Sequence, residues 1–482
     1  MSKTIQHHGV SKAKGCSHAK LGNFGRMFPA LPRWSDQYGI QSQCEAEQLM
    51  SLLGAANGLM HDVNDSSGDS DLPAGYTFFA QFVDHDITLD TLSALHQGPD
   101  AEKNQLDNLA NLRTASLDLD CVYGFGPEAS PHLYDSSQPG RLLTGNDENP
   151  EDLARTKDGT ALIGDPRNDE NLYVSQMQLM WINFHNKRLI GRNFEEAQKD
   201  VRYHYQYIVL NDFLRRICDE DVYYFARDKM HHQQIPLTPI MDPHAGLLMP
   251  LEFSVAAYRF GHTTVRNVYP ANTGQPVVEL FDGAFGTEGF SAVPPHLVID
   301  WKYLLDINPC HEFVKTKAFD SLLPDELIRM PDPIVGKFAS DNDRSLAFRN
   351  LLRGYALGLP SGQDVADALQ SLGYPVNAKP DITQVQNFDC LPADVKSKLT
   401  QHTPLFFYLM VEAEQLGDGK KLGPAASAIL MEVFGTMLSK CKTSFLKDPT
   451  WHPDPCVAKE DPSNKWKYDP LTLADIARYV QG

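Results

Sequence analysis

The sequence predicts a mainly α-helical protein folded as one large domain with few short strands. Apolar residues return at helical spacing in segment after segment, while the two-residue alternation of a strand is scarce and brief. No long linker and no repeat of solenoid period divides the chain. Of its 482 residues, 42 % are hydrophobic and 22 % charged, enough apolar material for a sizeable core and too much for a disordered chain.

Taken in order, residues 1–40 are rich in Gly, His, Lys and Pro and lack an apolar period, which predicts an extended arm lying over a body formed by residues 41–482. A helical pattern at 45–56 precedes an acidic, turn-rich loop at 62–74, and a helix follows from about Tyr76. Residues 131–165 read as loop. From Pro166 to Leu189 the side chains of Leu172, Val174, Met177, Leu179, Met180, Trp181, Ile182 and Phe184 leave few polar faces, the pattern of a helix buried on most sides. Asp165 suits its N-cap and Pro166 its first position. Further helices are predicted at 195–219, 248–266, 343–357, 362–372, 395–416 and 423–446.

Charge and motifs narrow the chemistry. The 43 Lys and Arg against 62 Asp and Glu give a net charge of −19, which repels nucleic-acid backbones and anionic lipid surfaces. No apolar stretch is long enough to span a bilayer, and the basic amino terminus is not followed by the apolar core of a secretory signal. A cytoplasmic location is therefore expected, with signal-less secretion as the alternative. The eight cysteines, Cys16, Cys44, Cys121, Cys218, Cys310, Cys390, Cys441 and Cys456, lie far apart with no Cys-x-x-Cys and are expected to be ordinary thiols. Zinc-protease, phosphate-loop and dinucleotide-binding motifs are absent.

Five polar clusters remain. In the helix from Tyr76, Phe78, Phe82, His85 and Leu89 form one stripe, placing His85 on the buried face. Gln81, Asp84 and His85 fall at i, i+3 and i+4, so an amide, a carboxylate and an imidazole converge, while Asp86 points about 100° away from His85. Taken alone, a buried histidine is more often a hydrogen-bonded core residue than a catalyst. GDPRNDEN at 164–171 sets Arg167 and Glu170 three apart, as chemistry or as capping and a salt bridge. YRFGHTTVR holds His262 beside Gly261, whose missing side chain admits a flat ligand or another helix. FRNLLRGYALGLPSG places Asn350 and Arg353 one turn apart, and TASLDLD aims oxygens of Thr114, Ser116, Asp118 and Asp120 the same way. Calcium wants six to eight such oxygens; a solvated acidic turn is the alternative.

The first four clusters, in this order and over at least residues 76–360, resemble the animal-type haem peroxidases, the superfamily of myeloperoxidase, lactoperoxidase, peroxinectins and, more distantly, the cyclooxygenases. ALIGDPRNDEN, followed by an apolar helix with His185 and Asn186, looks most like the bacterial members. The resemblance implies a haem b enzyme in which H2O2 oxidises the haem by two electrons and a halide, thiocyanate or small aromatic donor is then oxidised. It makes His85 the distal histidine, Gln81 the amide at the halide or water site, and Arg167 the distal arginine. Asp84 and Glu170 match the carboxylates that form esters with haem methyls. His262 matches the proximal iron ligand, Asn350 the acceptor of its imidazole N–H, and Arg259 and Arg353 partners of the haem propionates. Asp86, Thr114, Ser116, Asp118 and Asp120 correspond to the family's structural Ca2+ site.

Each implied role suits its residue type. A neutral imidazole shuttles a proton, a fixed guanidinium supports charge developing as the O–O bond breaks, and esters would remove two costly buried charges. Three departures stand out. Asn171 replaces the methionine of myeloperoxidase's third haem link, Tyr355 to Gly358 replace the vertebrate Arg-Asp-His-Gly, and Asp120 replaces a serine of the calcium loop. A fatty-acid dioxygenase of cyclooxygenase type is the rival reading. It needs a tyrosine three residues before the proximal histidine, where this chain has Arg259, with Tyr258 one residue out of register. A non-catalytic haem- or calcium-binding adhesion protein is a further rival, and the chain has no Arg-Gly-Asp.

Overall fold

The computed structural model describes residues 23–89, 111–145, 149–242, 246–273, 277–283, 287–308, 310–337, 339–458 and 471–482. Helices dominate these residues, and the strands are short pairs. The principal helices are α1 (Gln43–Gly54), α2 (Gly75–Ile87), α3 (Leu172–Arg188), α4 (Phe194–Ile208), α5 (Glu220–His231), α6 (Leu346–Ala356), α7 (Gly362–Ser371), α8 (Ala393–Gln401), α9 (Leu405–Leu416), α10 (Pro424–Lys440) and α11 (Leu473–Gln481). None is long and apolar enough to cross a membrane.

The core is built on α2 and α3. Phe79 and Phe82 of α2 stack on Trp181 of α3 at centroid distances of 6.2 and 6.1 Å, and Tyr205 of α4 meets the same indole at 5.3 Å. Such aromatic contacts add to the burial of large apolar surfaces. Gly75 lets α2 begin against the 304–305 segment, where a Cβ would lie 2.9 Å from the Leu304 carbonyl.

Several predicted helices are divided. Instead of one helix from Pro166, a 3-10 turn at Pro166–Asp169, capped by Asp165, is followed by a break, and α3 starts only after the Asn171 side chain caps Val174. The reason lies over a hundred residues away. The Phe290 N–H takes the Asp169 carbonyl at 2.6 Å, an acceptor that a continuous helix would use itself. Gly289 presses on Glu170 so closely that a Cβ would sit 2.3 Å from its carbonyl. The helix predicted at 248–266 is a two-residue strand at Met249–Pro250, a π turn at Glu252–Ala256 and a 3-10 turn at Ala257–His262. There the Ser254 carbonyl accepts Arg259 Nε at 2.7 Å. Pro404 splits 395–416 into α8 and α9, because it has no N–H and keeps Thr403 out of the helical region. The 195–219 pattern runs through a π turn at Val209–Phe213. Helices α5 and α11 were not predicted.

Part of the 1–40 arm, residues 1–22, lies outside the described residues. Residues 23–40 lie against the body: Phe24–Gly25 pair with Met249–Pro250, the Met27 and Phe28 N–H groups donate to the buried Glu252 carboxylate, and Arg26 donates to the Leu357 and Gly358 carbonyls. Cys441 corrects the expectation of ordinary thiols, since it is disulfide-bonded; Cys44, Cys121, Cys218, Cys310, Cys390 and Cys456 are free.

Candidate active site

A slot of about 420 Å3 separates α2 and the 166–169 turn from the 257–262 turn and α6, a size typical of small-ligand sites. From α2, Gln81, Asp84 and His85 line one wall, as their i, i+3, i+4 spacing dictates, and the turn adds Arg167 and Glu170. The opposite wall carries Tyr258, Arg259, Gly261, His262, Asn350 and Arg353. Residues far apart in the chain are thus gathered around one cavity.

On the first wall, the His85 Nδ1 lies 2.7 Å from Asn168 Oδ1, and its Nε2 is 3.8 Å from Glu170 Oε1. Burial and then the Arg167 charge push its pKa down to about 4, so the imidazole is neutral near pH 7. Arg167 donates from Nη2 to Asp165 at 2.8 Å, to the Thr88 carbonyl at 2.6 Å and to the His85 carbonyl at 3.2 Å. Asp165 also accepts Arg113 Nε at 2.9 Å. Burial works to raise this carboxyl, but hydrogen bonding and charge from Arg167, with the Arg113 charge, hold it well below the usual range. Glu170 accepts a hydrogen bond from Gln81 Nε2, and burial pushes its pKa up to about 7 against the pull of Arg167. Asp84 accepts Arg259 Nη1 at 2.9 Å and Thr88 Oγ1 at 2.9 Å. Burial opposes its ionisation, and Arg259 nevertheless holds its pKa below the usual value.

On the second wall, His262 Nδ1 is 2.8 Å from the Asn350 amide. Nε2 is thereby the ring nitrogen left for the slot. Burial and the Arg259 charge push this imidazole down to about 3. A Cβ on Gly261 would project into open space, so the absence of a side chain keeps the floor beside His262 clear for a flat group. Arg349, Arg353 and Arg259 share this wall, and guanidinium groups suit carboxylate-bearing ligands. Neutral imidazoles on both walls, an unfilled floor and a cationic margin fit a haem.

The acidic cluster is only partly assembled. Asp86, Asp118 and Asp120 are close enough that burial and one another's charges raise the pKa of Asp86 to about 7 and that of Asp118 well above the usual range. Burial raises Asp120 as well, against Arg202. Thr114 Oγ1 donates to Asp118 at 2.9 Å and to Asp120 at 3.3 Å. The Ser116 hydroxyl turns away to Cys441 Sγ at 3.8 Å and does not join the cluster. Asp86 Oδ1 and Asp118 Oδ1 are buried without a hydrogen-bond partner. Among the described residues no three His, Cys, Asp or Glu side chains form a closed metal cage.

The sequence reading missed several contributors. Arg113, Asn168 and Gln178 support the first wall, Arg349 lines the second, and Phe24 closes part of the slot. Of these Arg349 and Asn168 carried a signal, adjacency to Asn350 and to Arg167.

Residues 92–285 match the family model described as animal haem peroxidase; this stretch contains Arg167 and His262 but neither His85 nor Asn350. A "Peroxidase-like protein" of Margaritifera margaritifera is 28 % identical over 198 residues, which cover 36 % of this chain and 23 % of that protein. Less than a quarter of the curated relative's length is therefore matched. Among solved structures, peroxidase A of Dictyostelium discoideum superposes with a TM-score of 0.60 at 12 % identity over 98 % of both chains. Fatty acid alpha-dioxygenase of Oryza sativa gives a TM-score of 0.54 at 15 % identity over 86 % of this chain and 74 % of that one. The Arabidopsis thaliana enzyme gives 0.57 at 14 % over 86 % and 71 %. At such identities these likenesses establish the fold.

Proposed function

We propose that this chain, whose residues 92–285 match the animal haem peroxidase family model and whose fold is that of peroxidase A, is a haem peroxidase that uses H2O2 to oxidise halides, thiocyanate or small aromatic donors. The observation that carries the reading is the opposition of His85 and His262 across one slot, each with Nδ1 engaged and Nε2 left over. Haem b, when bound, supplies the two-electron reduction of peroxide. His262 would ligate its iron, and Arg259 and Arg353 would take its propionates.

The remaining chemistry belongs to the side chains. His85 Nε2 takes a proton from the near peroxide oxygen and returns it to the departing one, for which a neutral imidazole is required. Arg167, immobilised by Asp165 and two carbonyls, offers a fixed positive charge to the developing anion. Gln81 orients water or a small anion beside them. Rotating the Asn350 amide turns its oxygen to His262 Nδ1, where it accepts the imidazole N–H. Asp84 and Glu170 are the candidates for ester links. The buried, unpartnered oxygens of Asp86 and Asp118 fit Ca2+, which these two residues with Thr114, Ser116 and Asp120 would hold.

The test is an absorption spectrum of haem-loaded protein followed by acid-acetone extraction and donor assays. A Soret band is expected, with colour retained after extraction if either ester forms, and His262→Ala should abolish or strongly shift the band. Turnover of bromide, iodide, thiocyanate or a phenol by H2O2 is expected. A colourless protein would end the reading.

A fatty-acid dioxygenase is the second reading. Tyr258 is buried against Phe253, Phe260 and Phe434, lines the slot and leaves its hydroxyl unpartnered. Uptake of O2 with a polyunsaturated fatty acid, abolished by Tyr258→Phe, would favour it over peroxidation.

A further inference from the structure

Behind His85 runs a chain of two buried amides whose polarity is set at its far end. The Cys121 carbonyl can only accept, so the Gln178 group 3.1 Å from it is Nε2. Gln178 Oε1 therefore faces Asn168, can only accept, and receives Asn168 Nδ2 at 2.8 Å. Asn168 Oδ1 is left facing His85 at 2.7 Å and must receive an N–H from Nδ1. Asn168 and Gln178 are both fully buried, so neither can substitute water for a lost partner. Turning either amide would set oxygen against oxygen or N–H against N–H, at the cost of an unsatisfied buried group. The Gly164 N–H, 3.0 Å from the same Cys121 carbonyl, holds that end in place.

We infer that Asn168, oriented by Gln178 on the Cys121 carbonyl, is a positioning residue that fixes His85 as the Nδ1–H tautomer, so that Nε2 always meets the slot as a proton acceptor. No titration is needed to prepare the base, and the opposite tautomer, which would present an N–H to the incoming peroxide, is suppressed. The low basicity imposed on His85 by burial agrees with a neutral ring whose only freedom is which nitrogen holds the proton. The tautomer stands on hydrogen-bond geometry alone; its catalytic consequence rests on the peroxidase reading above.

The experiment is 15N NMR of the full chain labelled at histidine, haem-free and loaded with diamagnetic zinc protoporphyrin, with His85→Gln to assign the signal. Wild type should show His85 protonated at Nδ1 and bare at Nε2. Asn168→Leu, which removes the acceptor, should give mixed tautomers and slow the bimolecular reaction of the haem-loaded enzyme with H2O2 about tenfold or more. Asn168→Asp, which keeps an acceptor, should retain the Nδ1–H signal. Gln178→Leu, which frees Asn168 to turn, should also mix the tautomers. An Nε2–H signal in wild type, or an unchanged tautomer in both leucine variants, overturns the inference, and the wild-type spectrum decides it even where a variant fails to fold. The predicted tautomer in a protein that does not react with peroxide would sink the peroxidase reading and leave this one standing.

Discussion

Asp165 shows how much a single side chain carries at this site. It is fully buried and binds two guanidinium groups, Arg113 and Arg167, so one carboxylate both stabilises the turn and aims the arginine that faces the slot. Asp165→Asn keeps the volume and removes the charge. Because two cations would then share a buried site without compensation, a loss of about 3–5 kcal/mol is expected, measured by urea denaturation, together with slower reaction with H2O2. An unchanged midpoint would show that Arg167 is held by the Thr88 and His85 carbonyls alone. At this scale the sequence was informative where chemistry sits within one helical turn, as for Gln81, Asp84 and His85. It did not show what Asn168 and Gln178 do, since nothing local says that two amides ten residues apart will line up behind an imidazole from another helix.

Among the elements, the break between the 166–169 turn and α3 has a cause that no local pattern contains. Gly289, at a backbone φ of +87°, presses on the Glu170 carbonyl. Gly289→Ala adds both a clash and an unfavourable φ, so a loss of about 1–3 kcal/mol is expected, and Glu170 should shift away from Gln81. Thermal melting and the fraction of haem surviving acid-acetone extraction report the two effects; wild-type values for both would refute the argument. Where the signal is local, as with Pro404 between α8 and α9, the division was present in the sequence and was overlooked.

A second element-scale prediction concerns Glu412 of α9, which is buried and accepts the Ala425 and Ala426 N–H groups at the start of α10. Burial pushes its pKa up to about 8 despite those donors. The folded chain then holds a proton that the unfolded chain releases, so stability falls as pH rises from about 4.5 to about 8. Glu412→Gln should flatten this slope in melting temperature against pH. Equal slopes for variant and wild type would mean that the two N–H groups outweigh burial.

For the whole molecule, ligands should act as structural members. The walls of the slot come from α2, the 257–262 turn and α6, joined by burial, by the Arg259–Asp84 ion pair and by the Asn350–His262 contact. A haem bound only by the folded state should stabilise it by about 2.7 kcal/mol at a hundredfold excess over Kd, seen as a rise in melting temperature that His262→Ala removes. Chelation with EGTA should lower the melting temperature, since like charges at Asp86, Asp118 and Asp120 would lose their counterion; Asp118→Asn should make the protein indifferent to the chelator. A melting temperature insensitive to EGTA in wild type would argue against calcium. The mainly helical, single-domain architecture was readable from composition and periodicity, because a large apolar core leaves helices little choice of face. Helix α11 went unnoticed despite its Thr472 and Asp475 capping box, being short and close to the carboxyl end.

The placement of Phe24 bears on how the protein is made. Its strand docks on Met249–Pro250, its neighbours Met27 and Phe28 on Glu252, and Arg26 on Leu357 and Gly358. The earliest described stretch to leave the ribosome therefore cannot begin to dock until residue 249 has emerged, and its docking is complete only with residue 358. A prosthetic group cannot be enclosed before both walls of the slot exist, and these are complete only when Asn350 and Arg353 have been made.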